Sequence, residues 1–259
     1  MSDDHKLRVL VIDDSAYNRQ TIASILESVP GVEVVARAGD GDEGLKEAFM
    51  HAPDLITLDL EMPKMDGFVF LRLLMSRRPT PVLVISSYAQ KENVFKALEL
   101  GALDFIAKPS KRISTELRGI EAELVAKVRL VGKLKAEAPR HGGPPSWAKL
   151  ESLRASNVPT AARAASAGPR AGAPLARSTP RSASDPMRVC VIGASTGGPR
   201  ALVEILSTLD GSLPLCVLIA QHMPDKFTAA FAERLDRASS FEVREAQNGD
   251  ILRPGLALV

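Results

Sequence analysis

The chain has 259 residues, of which 45% are apolar and 25% are charged, and its formal net charge is +2 at pH 7. This usage is ordinary for a globular protein with substantial cores, and the length favours two domains. The charge is too small to indicate nucleic-acid binding by itself. No apolar run approaches the roughly 20 residues that cross a bilayer, and the N-terminus is acidic where a secretory signal is basic. We therefore expect a cytoplasmic protein with no membrane insertion and no nucleic-acid partner.

In the first part of the chain, short apolar runs alternate with segments of helical period. The runs are LRVLVI, VEVVARA, DLITLDL, PVLVISS and DFIA. Five such repeats predict an α/β domain whose parallel sheet is covered on both faces. Asp40 followed by Glu43 predicts a helix N-cap, and Gly101 predicts a helix end. We assign this first domain to residues 1–130.

Residues 131–186 hold the end of the last helix and then a stretch rich in Ala, Pro, Gly, Ser and Arg, which predicts a flexible linker. Regular structure is expected again from Met187, where strand-like RVCVIGAS and LCVLIAQ alternate with helix-like PRALVEILSTL and DKFTAAFAERLDRA. Residues 187–259 therefore predict the first part of a second doubly wound parallel α/β domain. The chain ends inside the apolar run LRPGLALV, so we expect this domain to be incomplete.

Polar residues with complementary chemistry follow the predicted strands of the first domain. They are Asp13, Asp14, Asp59, Ser86 and Lys108. Parallel strands bring their carboxyl ends to one edge of the sheet, where clustered carboxylates favour a hard cation such as Mg²⁺. Asp59 would then attack phosphorus as a carboxylate nucleophile, with Lys108 and the Ser86 hydroxyl binding phosphoryl oxygens. Singly, these residues also suit a helix cap, a turn or surface charge; jointly they favour phosphoryl transfer.

The motifs "VIDDS", "LDLEMPKMDG", "VISS" and "AKP" resemble those of response-regulator receiver domains over about residues 5–130. The resemblance implies a flavodoxin-like (βα)5 fold and a histidine kinase that phosphorylates Asp59. It implies four groups that bind Mg²⁺, namely the side chains of Asp13, Asp14 and Asp59 and the backbone carbonyl of Glu61. Phe105 lies where the family keeps its switch aromatic residue, and Ser86 stands where many members have threonine.

The turn in "VIGASTGGPRAL" presents a serine. A phosphate-binding loop needs a lysine after the glycines, and none is present here. The sequence from Gly193 to Gly197 instead fits G-x-S-x-G, which places Ser195 on a tight strand-to-helix turn. Ser195 and Thr196 would stand at a helix N-terminus, where free backbone N–H groups stabilise developing negative charge. The next strand ends at His222, within reach as a general base.

A third, acidic member of a catalytic triad is not evident. The order Ser then His, with no acid positioned between them, departs from that of α/β hydrolases. Asp210 enters the second strand and belongs at the opposite edge of the sheet, and Asp225 is expected to cap the following helix. Asp250 lies in a late turn and stays open as a candidate.

The order of receiver, linker, "IGASTGG" and "QHMP" resembles CheB-type chemotaxis protein-glutamate methylesterases over essentially the whole chain. The resemblance implies hydrolysis of glutamate methyl esters on cytoplasmic helices of chemoreceptors, often with deamidation of glutamines, and phosphorylation by the chemotaxis histidine kinase. Ser195 would be the nucleophile, His222 its base and Thr196 an auxiliary hydroxyl, with no cofactor for the hydrolysis. The family's catalytic aspartate would lie beyond Val259, and its unphosphorylated receiver covers the esterase cleft.

Two other functions remain as alternatives. One is a phosphorylatable signalling protein or phosphate sink whose second module is noncatalytic, an interpretation that the missing acid favours. The other, a DNA-binding regulator, lacks a helix-turn-helix pattern after the linker.

Overall fold

The structure is a computed structural model that describes residues 6–87, 91–108, 120–137 and 186–259. Of these, residues 6–87, 91–108, 120–125 and 186–259 belong to one compact unit, and residues 126–137 belong to another. The Pro- and Gly-rich part of the predicted linker lies outside the described residues, so the predicted domain boundaries stay predictions. Within the described ranges, no helix combines the length and apolar character needed to span a membrane.

Strands and helices alternate through the first part of the chain, as the apolar runs predict. The strands are β1 (Leu7–Ile12), β2 (Val32–Ala38), β3 (Leu55–Leu58), β4 (Val82–Ser87) and β5 (Asp104–Lys108). The helices are α1 (Ala16–Glu27), α2 (Gly41–His51), α3 (Gly67–Arg77), α4 (Lys91–Glu99) and α5 (Glu121–Glu137). The five strands form one parallel sheet in the order β2-β1-β3-β4-β5. This confirms the flavodoxin-like prediction.

Side-chain caps start three of these helices. Ser15, Asp40 and Asp66 each accept a hydrogen bond from the backbone N–H three residues ahead. The cap predicted at Asp40 is thus confirmed, whereas α1 is capped by Ser15 and not by Asp14. Gly101 follows α4 with a φ of +108°, a conformation that favours glycine and ends the helix as predicted.

The second part of the chain forms another parallel sheet, with order β6-β7-β9-β8. Its elements are β6 (Arg188–Ala194), α6 (Gly198–Thr208), β7 (Leu215–Gln221), α7 (Asp225–Ala238), β8 (Glu242–Arg244) and β9 (Leu256–Leu258). The expected cap at Asp225 is wrong, because Asp225 is the first residue of α7 and its carboxylate accepts from the N–H of Lys226. Pro224 occupies the N-cap position instead.

Four phenylalanines, carried by α4, β5 and α7, join the two sheets and their helices in one apolar core. We call these four residues the aromatic contact. Phe95 of α4 stacks on Phe231 of α7, with ring centroids 5.9 Å apart. Phe105 of β5 packs against Phe227 of α7 at 4.8 Å. All four side chains are buried, so the first sheet's last strand is in direct contact with the helix that follows His222.

Candidate functional site

Three carboxylates and one lysine meet at the carboxyl edge of the first sheet. Ligand oxygens of Asp13, Asp14 and Asp59 all lie within 4.8 Å of one another. The Lys108 Nζ lies 2.9 Å from Asp13 Oδ2 and 2.6 Å from Asp59 Oδ2. The strand-end residues that the sequence singled out are therefore brought together by the parallel topology.

The acidic pair is held by contacts from the first turns of α1. Asp13 Oδ1 accepts hydrogen bonds from the Ser15 backbone N–H at 3.0 Å and from Asn18 Nδ2 at 3.2 Å. Arg19 Nη1 donates to the carbonyl oxygens of Asp13 at 2.6 Å and Asp14 at 3.1 Å. Sequence reasoning missed Asn18 and Arg19, although their positions one helical turn after the acidic pair point back at it.

Burial and charge oppose each other in this cluster. Desolvation raises the pKa of Asp13 above its ordinary value, although the Lys108 ammonium acts in the other direction. Burial acts to lower the pKa of Lys108, but the Asp59 and Asp13 carboxylates outweigh it, and that pKa is raised. Lys108 is therefore a fixed positive charge beside the predicted phosphoryl acceptor.

The other residues predicted for this site lie along the same edge or beneath it. Ser86 is buried near the end of β4 and pairs with Ala107, the neighbour of Lys108. Glu61 is exposed in the loop after Asp59, and its N–H points toward Asp59 Oδ1 at 3.4 Å. Phe105 lies on β5 three residues before Lys108, in the aromatic contact.

The donor set fits Mg²⁺. This cation takes oxygen ligands and is bound in proteins through a small number of carboxylates together with water and phosphate oxygens. Asp13, Asp14 and Asp59 offer three carboxylates, and the loop that follows Asp59 carries the Glu61 carbonyl.

The loop after Asp59 is bonded to the loop between β2 and α2. Lys64, at a φ of +62°, places its Nζ 2.6 Å from Asp40 Oδ2. One residue later, the Met65 carbonyl accepts the Gly41 N–H at 3.2 Å. A side chain at Gly41 would begin 2.7 Å from that carbonyl, so glycine permits the close approach. The two loops thus hold each other next to the acidic cluster.

The second predicted site lies at the ends of β6 and β7. Ser195 follows β6 and His222 follows β7, and the Ser195 Oγ is 3.3 Å from His222 Nδ1. The His222 N–H extends the sheet by donating to the Ala194 carbonyl at 2.8 Å. Thr196 is half-buried in the turn between Ser195 and α6.

These atoms line a shallow depression open to solvent, and Ser195 and His222 are both exposed there. For Nδ1 to accept the Ser195 proton, the neutral imidazole must carry its hydrogen on Nε2. The nucleophile, a base within hydrogen-bond distance and the N-terminus of α6 are the parts that acyl transfer by a serine requires.

The carboxylates considered as a third member have other partners. Asp250 accepts from Arg244 Nη1 at 2.7 Å and Nη2 at 2.6 Å, and from the Gln247 N–H at 2.7 Å. The Arg244 guanidinium holds the pKa of Asp250 below its ordinary value. Asp210 comes before β7, at the edge away from His222, and accepts the Ser212 N–H.

An acidic cluster at the edge of one parallel sheet and a serine–histidine pair on another define the class, a response regulator with a hydrolase-like output module. Residues 9–117 match the family model described as response regulator receiver domain, and residues 190–259 match the one described as CheB methylesterase. The chain belongs to the family of CheB-type protein-glutamate methylesterases/protein-glutamine glutaminases, the chemotaxis response regulators.

Curated relatives share close to half of their aligned residues with the chain. It is 46% identical over 98% of its length to protein-glutamate methylesterase/protein-glutamine glutaminase 3 of Geobacter sulfurreducens, of which it covers 67%. It is 48% identical to protein-glutamate methylesterase/protein-glutamine glutaminase 1 of Myxococcus xanthus, over 98% of this chain and 65% of that relative. The response regulator domain of Thermotoga maritima CheB is 40% identical, covering 49% of this chain and 97% of that one, with a TM-score of 0.47. The chain thus spans about two thirds of the length of these curated relatives.

Proposed function

We propose that this chain hydrolyses methyl esters of glutamate side chains, and deamidates glutamines, under the control of phosphorylation at Asp59. The observation that carries the proposal is the 3.3 Å approach of Ser195 Oγ to His222 Nδ1 at adjacent strand ends. Neither side chain needs that geometry for the packing of a core, since both are exposed. Membership of the methylesterase family supplies the reaction class.

In the proposed ester hydrolysis, His222 Nδ1 takes the Ser195 proton as Oγ attacks the ester carbonyl carbon. The carbonyl electron pair moves to oxygen, where backbone N–H groups at the start of α6 stabilise it. The C–O bond to methoxide then breaks as His222 returns the proton, and methanol leaves. Water, deprotonated by His222, releases the glutamate carboxylate and restores Ser195. With a glutamine substrate the leaving group is ammonia.

In the proposed phosphorylation, a carboxylate oxygen of Asp59 attacks the phosphorus of a phosphohistidine on a chemotaxis kinase, and the P–N bond breaks so that the kinase imidazole leaves. Asp13, Asp14, Asp59 and the Glu61 carbonyl would hold Mg²⁺. The bound cation supplies neutralisation of the phosphoryl charge. Lys108, already 2.6 Å from Asp59, would bind one phosphoryl oxygen, and the Ser86 hydroxyl would bind another.

The aromatic contact suggests how the two sites are coupled. Phe105 packs on Phe227 in α7, the helix that begins three residues after His222. Ser86 and Lys108 lie on β4 and β5 beside Phe105, so a phosphoryl group bound there would disturb the strand that holds this ring. We propose that the unphosphorylated receiver restrains the esterase module through this contact and that phosphorylation relieves the restraint.

The proposed substrates are methylated glutamates on cytoplasmic helices of chemoreceptors, and the proposed phosphodonor is the associated histidine kinase. These partners would place the reaction in the cytoplasm. The substrate helices would reach Ser195 from solvent, because its depression is open.

The test is methanol release from a methylated receptor fragment by this chain, with and without Mg²⁺ and a small acyl phosphate. We expect release that acyl phosphate stimulates, that Ser195→Ala abolishes, and that Asp59→Asn keeps at its unstimulated level. Phosphorylation of Asp59 without any methanol release would contradict the esterase and favour the phosphate-sink alternative. Release that Ser195→Ala leaves intact would exclude the serine mechanism.

A further inference from the structure

Gln221 stands between the two residues of the serine–histidine pair. It is the last residue of β7, directly before His222, and the parallel register pairs it with Ala194, directly before Ser195. Its side chain is partly buried beneath the depression in which Ser195 and His222 are exposed. The sequence signal is a single glutamine at the end of an apolar strand, which by itself indicates only a strand end.

The amide of Gln221 binds the backbone of both residues. Its Nε2 donates to the Ser195 carbonyl oxygen at 3.0 Å and to the His222 carbonyl oxygen at 3.1 Å. Both partners are pure acceptors, so only the NH₂ end of the amide fits between them. A primary amide has two N–H bonds, which is enough for one hydrogen bond to each of these carbonyls.

This bridge continues where the sheet's own hydrogen bonds stop. The ladder between β6 and β7 ends with the His222 N–H donating to the Ala194 carbonyl at 2.8 Å. One residue further, the Ser195 carbonyl accepts the Gly198 N–H from its own turn at 2.8 Å. Beyond the ladder, the Gln221 amide ties the backbone of this turn to the end of β7, in addition to the contact between the Ser195 and His222 side chains.

Gly198 makes room for the same amide. A Cβ at this position would lie 2.1 Å from Gln221 Oε1 and 2.8 Å from Ala194 Cβ. Its φ lies outside the left-handed region that favours glycine, so backbone conformation does not explain the residue. The space that a side chain would take is occupied by the glutamine.

We propose that Gln221 is the positioning residue of the serine–histidine pair, holding Ser195 and His222 in register through one bridging amide. This inference rests on the proposed function, since it assigns a role to Gln221 in the same reaction. A base displaced by about 1 Å costs a reaction of this kind up to about a hundredfold in rate. The role therefore predicts a loss of rate without a comparable loss of folding or of substrate binding.

The experiment measures labelling of Ser195 in the 259-residue chain by a small fluorophosphonate across a range of pH. In the labelling step the P–Oγ bond forms, fluoride leaves and the Oγ proton passes to His222. Gln221→Glu keeps the shape but cannot donate to the carbonyls, and Gln221→Met keeps the length without polarity. We expect both variants to lower the maximal labelling rate about ten- to hundredfold, with an unchanged half-saturating probe concentration and loss of the pH-dependent component that His222 supplies.

Matched controls separate positioning from stability. Gln247 is exposed, and Gln247→Glu and Gln247→Met should leave labelling and the thermal midpoint unchanged. Gly198→Ala, which displaces the Gln221 amide, should reproduce the labelling loss and serves if a Gln221 variant does not fold. Labelling of the Gln221 variants at the unsubstituted rate would overturn the positioning role alone. Absence of Ser195 labelling in the unsubstituted chain would overturn the proposed function, and the positioning role with it.

Discussion

The two sites occupy the same place on two parallel sheets, yet they are built in opposite ways. At the first, Asp13 is 1% exposed and shares the Lys108 ammonium with Asp59. At the second, the side chains of Ser195 and His222 are exposed and are joined by one hydrogen bond. The carboxyl edge of a parallel sheet therefore gathers side chains without dictating their chemistry.

Because of this difference, a substitution should affect stability and reaction rate to different degrees at the two sites. Buried charges must be paired, so removing one partner at the first site destabilises the fold as well as the reaction. Exposed side chains contribute little to folding, so a change at Ser195 or His222 should alter the rate alone. Measurements of rate and stability on the same variants test this contrast directly.

The largest expected effect is that of His222→Gln on the second site. Without the base, ester hydrolysis should fall by about 10⁴-fold or more. The urea-unfolding free energy should stay within about 0.5 kcal/mol, because the imidazole is exposed. Methanol release and urea titration check the two halves of the prediction. A rate loss below tenfold would show that His222 is not the base.

At the first site, Lys108→Met should cost both stability and phosphorylation. It leaves Asp13 and Asp59 without their shared counter-charge, for which we expect a loss of about 3 kcal/mol in the free energy of unfolding without Mg²⁺. Mg²⁺ should restore more stability to this variant than to the unsubstituted chain, since the carboxylates then have another counter-charge. Lys46→Met, on the exposed side of α2, is the control. Equal unfolding free energies for the two variants would contradict the role of Lys108.

The sequence predicts most of this comparison because strand order and residue type are local signals. Apolar runs followed by Asp13, Asp59, Lys108, Ser195 and His222 place those residues at strand ends, and parallel pairing then gathers them. The contacts that hold them are less visible. Arg19 and Gln221 act through backbone carbonyls, and their residue types alone do not distinguish such donors from ordinary polar residues.

Packing between the two parts of the chain is the least predictable feature. Phe95 and Phe227 each suit a core position of their own helix, and nothing in their spacing says that these two helices pack against each other. The strand β8 was missed because its three residues, Glu242–Arg244, are too few to show a period. The capping assignment at Asp225 failed because an acidic residue is also favourable inside the first helical turn.

Phe227→Leu tests whether the aromatic contact couples the two sites. The smaller side chain leaves space beside Phe105, which should cost about 1–3 kcal/mol in unfolding free energy. If the receiver restrains the esterase through this contact, unstimulated methanol release should rise several-fold while stimulation by acyl phosphate shrinks. Phe241→Leu, in an equally buried residue before β8, should cost stability without raising release. A rise in both variants would indicate general loosening of the fold.

A smaller effect on stability is expected at Asp40, which pairs with Lys64 in the loop after Asp59. The Glu43 N–H and the Lys64 ammonium lower the pKa of Asp40, so its stabilising contribution is present above the ordinary value of 3.8 and is lost as pH falls through the lowered pKa. Asp40→Ala should cost about 1 kcal/mol of unfolding free energy at pH 7. Asp40→Asn should keep the cap, lose the Lys64 pair and flatten this acid loss in urea titrations. Asp42→Asn, in an exposed neighbour, should keep it.

The smallest effect on Ser195 labelling is expected for substitution of Asp250. This measurement tests whether Asp250 is the acidic partner of His222. Both Asp250 oxygens are engaged by the Arg244 guanidinium, which also lowers the pKa of Asp250. A carboxylate held in this way should orient the turn between β8 and β9 and should not act on the imidazole. Asp250→Asn should therefore label at Ser195 within about twofold of the unsubstituted chain, as Arg244→Gln should. A hundredfold loss confined to Asp250→Asn would instead make Asp250 the acid of the second site, and the contrast between a site with buried paired charges and one without them would no longer hold.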